Sequence, residues 1–208
     1  MAKSHWLIFC LLALYLAGCA YPRYRYDFSL IEPYEDDLKY EDEEISIELI
    51  PGIEYIWVSL YNKTDNNVYF IRDKAKYTDP WGKSHRILYG WGYASEMKEF
   101  LRDDLYLSSI RIGPNSSIAG NVWINIWPGP GADIGEGWTS IKDFEIEYPD
   151  HYLFPEYSFQ GNGSELKGST FCLKLPIDFG AYVRNYEFTF MITEVETLDL
   201  KKSDFSDK

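Results

Sequence analysis

The chain is 208 residues long and carries 33 acidic against 20 basic side chains, a formal net charge of -13. Charge of that sign and size repels nucleic acid and anionic headgroups at long range, so neither is expected as a direct ligand. The chain holds 18 Tyr, 12 Phe and 7 Trp, a usage that serves strands and flat binding surfaces alike.

The N-terminus has Lys3 and His5 and then an apolar run from Trp6 to Ala17. A membrane-spanning helix needs about 20 apolar residues, so this run is short for a span and has the proportions of a secretory signal peptide. It ends in Leu16-Ala17-Gly18-Cys19. Those four residues resemble the lipobox of bacterial lipoproteins, in which a leucine and two small residues precede the cysteine that is modified. The resemblance covers residues 1–20. It implies cleavage of residues 1–18, a diacylglyceryl group on the Cys19 thiol, and a freed amine open to further acylation. Each buried methylene contributes about 0.8 kcal/mol, and two chains anchor where one does not. The expected address is the bacterial cell envelope, with the membrane as partner through lipid on Cys19. Ala20 stands where an Asp tends to retain Gram-negative lipoproteins on the inner membrane, which favours the outer membrane in such a cell.

Cys10 leaves with the leader and Cys19 is modified, so Cys172 has no disulfide partner within the chain. It lies in the strand-like Thr170–Leu175 and is expected to be a buried structural thiol.

Residues 19–44 read as an acidic tether. From Asp27 to Glu44 there are nine acids against the single base Lys39, and like charges extend such a segment. About 25 flexible residues reach roughly 25–30 Å. Tyrosines at 21, 24, 26, 34 and 40 depart from tether composition, and Tyr24 to Leu30 is the part expected to pack on the domain. The domain proper is read as 45–196. Strands are predicted at Ile45–Ile50, Ile53–Tyr61, Val68–Arg72, Lys76–Thr78 and Ser84–Tyr89, divided by Pro51-Gly52, by the polar cluster 62–67 and by Asp79-Pro80-Trp81-Gly82. Ser95 to Asp103 is the one convincing helix: Ser95 caps it, Glu96 suits its first turn, and Met97, Phe100 and Leu101 share a face. Strands follow at Ser108–Ile112, Ile118–Trp127, Ile141–Tyr148, Thr170–Leu175 and Asn185–Val195, with a polar, frayed tail at 197–208. The fold class is all-β: a single immunoglobulin-like or jelly-roll β-sandwich with one short helix.

Two strands share a design, because successive strand residues face opposite ways. Ile118, Gly120, Val122, Ile124 and Ile126 form an aliphatic face, and Asn121, Trp123, Asn125 and Trp127 lie opposite. In Ile53–Tyr61, Ile56, Val58 and Leu60 oppose Tyr55, Trp57 and Tyr61. An outer face of Trp, Tyr and Asn is a platform on which sugar rings stack while amides take hydroxyls. The competing reading is that the helix or the N-terminal segment covers this face, and exposure of Trp123 and Trp127 decides between them.

Catalytic machinery is not legible. Beyond the leader the histidines are His85 and His151, in no metal-binding spacing with each other or with cysteine. No Gly-x-Ser-x-Gly elbow is present. The loop 129–137 is rich in glycine, but Pro128 and Pro130 remove amide donors and Asp133 and Glu136 repel phosphate. Those two acids are the residues from which a calcium site at that tip would be built. Asp143, Glu145 and Glu147 alternate along one predicted strand and read as a solvated face. No cofactor is expected. The leading expectation is a non-enzymatic envelope lipoprotein, structural or binding, whose partner is an envelope protein or a glycan. A carbohydrate-binding module using Trp57, Tyr55, Trp123, Trp127, Asn121 and Asn125 comes second, and an envelope hydrolase third.

Overall fold

A computed structural model describes residues 21–35, 37–102, 106–125 and 152–198. The signal segment with Cys19, the loop bearing Asp133 and Glu136, the predicted strand with Asp143, Glu145 and Glu147, Trp127, His151 and the tail past Leu198 lie outside these residues.

The described chain is all-β. Its strands are β1 (Arg23–Glu32), β2 (Tyr34–Glu35), β3 (Lys39–Glu41), β4 (Ile45–Pro51), β5 (Ile56–Asn62), β6 (Val68–Phe70), β7 (Lys76–Thr78), β8 (Ser84–Gly90), β9 (Ile110–Ile112), β10 (Ser116–Asn125), β11 (Thr170–Asp178) and β12 (Val183–Leu198). A helix, α1 (Tyr93–Arg102), lies between β8 and β9. All strands join one antiparallel sheet in the order β2-β1-β12-β11-β7-β8-β10-β5-β4-β3, with β6 pairing β11 and β9 off that path. The sheet is strongly curved and nearly barrel-shaped.

Alternation explains why these segments are strands. Ile45, Ile47 and Leu49 of β4 and Ile56, Val58 and Leu60 of β5 are fully buried, while Glu48 and Tyr61 between them are exposed. Gly120, Val122 and Ile124 of β10 turn inward as predicted. Leu173, Leu175 and Ile177 of β11 and Phe188, Phe190 and Ile192 of β12 join them in one buried core.

The domain begins earlier than composition suggested. Residues 23–35, read as tether, instead form β1 and β2, and β1 pairs with β12 from Arg23–Leu198 to Glu32–Thr189. Acids occupy solvent-facing positions of β1 while Tyr24, Tyr26 and Leu30 are buried. The first two acids of the run, Asp27 and Glu32, therefore lie on the wet face of an amphipathic strand, which a count of acids does not distinguish from a tether. The same pairing takes Thr197 and Leu198, assigned to the frayed tail, into β12. Tyr26 donates its hydroxyl hydrogen to the carbonyl of Pro155 at 2.7 Å. Gly163 lies so close that a Cβ there would sit 2.3 Å from the Tyr26 hydroxyl oxygen.

Two further boundaries move. β6 stops at Phe70, because residues 72–74 form a 3-10 turn that buries the Arg72 side chain. The helix starts at Tyr93, two residues before the expected cap, and Ser95 sits inside its first turn, donating to the Gly92 carbonyl at 2.7 Å. Burial of Tyr93 with Met97, Leu88, Leu107 and Trp123 recruits the earlier start. Arg72 fixes the helix to the sheet: it pairs with Glu96 at 3.1 Å and Glu99 at 2.9 Å and donates to the Ser108 carbonyl at 2.8 Å. Gly90 makes room for this, since a Cβ there would meet Glu96 Oε1 at 2.0 Å.

The ends of the sheet meet through side chains. Tyr40 of β3 packs edge-on against Tyr186 and Phe188 of β12, with ring centroids 5.7 and 5.8 Å apart. Between β3 and β4, Asp42 Oδ1 accepts the amides of Glu44 and Ile45, both at 2.8 Å. Its Oδ2 takes Arg184 at 3.0 Å and the Tyr186 hydroxyl at 3.1 Å. Arg184 also lies 2.9 Å from Glu44 Oε2, and the Tyr182 hydroxyl donates to Glu44. Burial presses the Asp42 carboxyl pKa upward, but these donors outweigh it and hold the group below its ordinary value of 3.8.

Two expectations follow. Leu30→Ala lowers the unfolding free energy by about 2–5 kcal/mol, as for other buried leucines, where a tether residue would shift it by about 0.5 kcal/mol or less; urea denaturation measures the difference. A depressed carboxylate stabilises the fold above its unfolded pKa and ceases to as pH falls through the folded one. The stability lost in Asp42→Asn is therefore full at neutral pH and shrinks below about pH 3.8, which thermal melts of both proteins across pH 2 to 7 check.

Candidate functional site

The outer face of β4, β5 and β10 carries the groove in which the predicted residues meet. Register places Ile50 of β4, Trp57 of β5 and Asn121 of β10 side by side in one row. The turn after β4 closes through the Gly52 amide donating to the Tyr55 carbonyl at 2.8 Å, and the Leu153 amide donates to the Ile53 carbonyl at 2.8 Å. This stacks the returning segment 152–157 against the same end. The result is a cavity of about 620 Å³, lined by Arg23, Ile50, Pro51, Gly52, Ile53, Glu54, Tyr55, Trp57, Asn121 and Glu156.

Its polar groups are arranged around an apolar floor. Arg23 and Glu156 pair at 2.8 Å, with the arginine 48% exposed and the glutamate 15%. Tyr55 is exposed and Trp57 half-buried, so the indole keeps part of its surface open. A second, smaller depression of about 430 Å³ continues along the same face, over Ser46, Glu48, Ser59, Tyr61 and Ser117, with Lys39, Glu41 and Lys63 beside them. Lys63 binds Glu41 at 2.9 Å, and that contact, with the charge of Lys63, holds the Glu41 carboxyl below its usual pKa.

Of the predicted face, Trp57, Tyr55 and Asn121 come together. Trp123 does not join them. It is 5% exposed, packed under α1 with Leu88, Tyr93, Met97 and Leu107. Its ring edges approach Tyr55 and Tyr93, each at 6.1 Å between centroids. Trp123 is thus core of a small second cluster and not a binding surface, because the helix laid across β8 and β10 removes it from water. The Asn125 side chain and Trp127 lie outside what is described. Sequence reasoning missed Arg23, Glu54, Ile50 and Glu156. Arg23 was assigned to a tether, and Glu156 arrives from a distant segment with no local signal.

Titratable groups elsewhere look structural. His85 Nε2 lies 2.8 Å from Asp79 Oδ2, a histidine–acid pair of the kind that would favour an enzyme. The other Asp79 oxygen accepts the amides of Trp81 at 3.0 Å and Lys83 at 2.8 Å, so the carboxylate shapes the β7–β8 turn. Neither residue lines the groove. Cys172 is half-buried on β11, and burial pushes its thiol pKa upward, away from the reactive thiolate. Among the described residues, no three His, Cys, Asp or Glu side chains are grouped to hold a metal ion, and no helix is long and apolar enough to cross a membrane.

The fold and the site define an all-β antiparallel domain with an open aromatic groove on its outer face. Compared with known families, curated proteins and solved structures, the chain matches none.

The half-open state of Trp57 is measurable. Trp57→Phe removes fluorescence that acrylamide quenches readily, whereas Trp123→Phe removes emission that resists quenching; Stern–Volmer plots of the two variants are expected to diverge in opposite directions from the parent.

Proposed function

We propose that this chain is a lipid-anchored, non-enzymatic component of a bacterial cell envelope that binds its ligand in the groove over Trp57. The carrying observation is that row of Ile50, Trp57 and Asn121, flanked by Tyr55 and the Arg23–Glu156 pair. An apolar floor with a few convergent polar groups is what a small-ligand surface needs. The groove lining offers no Ser, Cys or His side chain as nucleophile or base. Its Glu156 carboxylate is paired with Arg23 at 2.8 Å. The anchor rests on Leu16-Ala17-Gly18-Cys19, and Ala20 supports the outer membrane as its site in a Gram-negative cell.

A carbohydrate is the ligand class that this lining favours. Trp57 presents part of an indole, and Asn121 on the adjacent strand offers an amide beside it. Sugars match that combination of an apolar ring face and peripheral hydroxyls. With Trp123 withdrawn, the platform is one Trp and one Tyr wide, which suits one or two sugar rings and not a long chain.

We read the curved sheet as a flattened β-sandwich of the immunoglobulin-like or jelly-roll kind. Support comes from the core, where side chains of β4 and β5 share one buried cluster with those of β11 and β12, as the inner faces of a sandwich would.

Two measurements test the function. Cys19→Ala is expected to leave the protein unlipidated and to move it from the membrane to the soluble fraction; acyl labelling that persists in this variant refutes the anchor. In binding assays against envelope oligosaccharides, Trp57→Ala is expected to weaken binding about tenfold or more, near 1.4 kcal/mol. Trp81→Ala, at an exposed tryptophan outside the groove, is expected to leave it unchanged.

A further inference from the structure

The start of β1 carries an exposed aromatic rim. Tyr21 is 47% and Phe159 61% exposed, and their rings meet edge-to-face with centroids 5.0 Å apart. The half-buried Tyr157 ring stacks on Phe159 with centroids 5.6 Å apart. Backbone bonds hold the group rigid: the Tyr24 amide donates to the Glu156 carbonyl at 2.8 Å and the Ser158 amide to the Pro22 carbonyl at 3.0 Å. Leu198, the cross-strand partner of Arg23, is exposed at the same end. Three large apolar side chains, Tyr21, Phe159 and Leu198, kept in water by a fixed backbone are costly unless something covers them.

Chain length says what covers them. Ala20, Tyr21 and Pro22 alone separate Cys19 from Arg23 at the start of β1. Fully extended, that stretch spans at most about 14 Å, less than the thickness of half a bilayer with its headgroups. The 25-residue spacer expected from composition does not exist, because β1 consumes it. We propose that the Tyr21–Phe159–Tyr157 rim docks on the interfacial region of the bilayer that holds Cys19; the proposal rests on the lipid anchor proposed above. Tyrosine and phenylalanine suit that depth, the hydroxyl staying with the headgroups while the rings enter the acyl boundary. Net acidity does not oppose it locally, since Arg23 is paired to Glu156 and Arg25 to Glu196 at this end. The rim and the lipid act as two linked attachments, so neither needs to be strong alone.

The test uses the full lipidated chain in zwitterionic phosphatidylcholine vesicles, in a Cys172→Ser background. Phe159→Cys and Asn185→Cys variants, both at exposed positions, carry the same environment-sensitive fluorophore, and mass spectrometry reports the lipid on Cys19 in each preparation. The expected result is a blue-shifted probe at position 159 that shallow nitroxide-labelled lipids quench, with the probe at 185 unshifted. A lipidated chain whose probe at 159 reads as water overturns the docking and leaves the anchor intact. A chain that carries no lipid overturns the anchor and the docking with it.

Discussion

Nine register pairs join β1 to the second half of β12, and they bring together opposite ends of the chain. The rest of the architecture is staggered along that join. β11 pairs with β12 from Val183 to Met191, while β1 pairs with it from Thr189 to Leu198, so β12 splints two sections of sheet that overlap by only a few residues. Loop closure over such a separation is costly in entropy and is repaid late. The repayment comes from Leu30, Tyr26, Phe171 and Phe190, which reach the core when both strands are seated.

One helix then divides the outer face into a dry half and a wet half. α1 covers Trp123 and Leu88, and Arg72 clamps it in place through Glu96 and Glu99. Arg72 is 5% exposed, and a buried cation without its carboxylates is expensive; the clamp therefore specifies where the helix lies more than it adds net stability. Burial raises the Glu96 carboxyl pKa and the Arg72 charge opposes that rise. What the helix leaves uncovered, from Trp57 toward Tyr61, is the groove and its extension.

Much of this was legible from alternation alone. The inward sets Ile56-Val58-Leu60 and Gly120-Val122-Ile124 were read correctly, since a period of two admits one solution when one face is aliphatic. The brief strand Lys76–Thr78 was placed correctly between its turns. The outward face was less tractable. Trp57 and Trp123 sit on equivalent sides of their strands, and no local feature says which one a helix will cover. β1 was misread for a different reason: Arg23, Arg25 and Asp27 alternate with Tyr24 and Tyr26, and a charge count is blind to alternation. Arg23 and Glu156 were invisible as groove residues because their meeting depends on tertiary closure of segments far apart in sequence.

The sixteen residues of β12 also set a vertical scale. At about 3.3 Å per residue, such a strand measures up to roughly 50 Å from Leu198 to Val183. Leu198 closes one end of that strand, and the hairpin of Phe179, Tyr182 and Arg184 stands at the other. If the rim docks on a bilayer as proposed, that far hairpin is the part held away from the lipid, while Arg23 and the groove it lines stay at the near end.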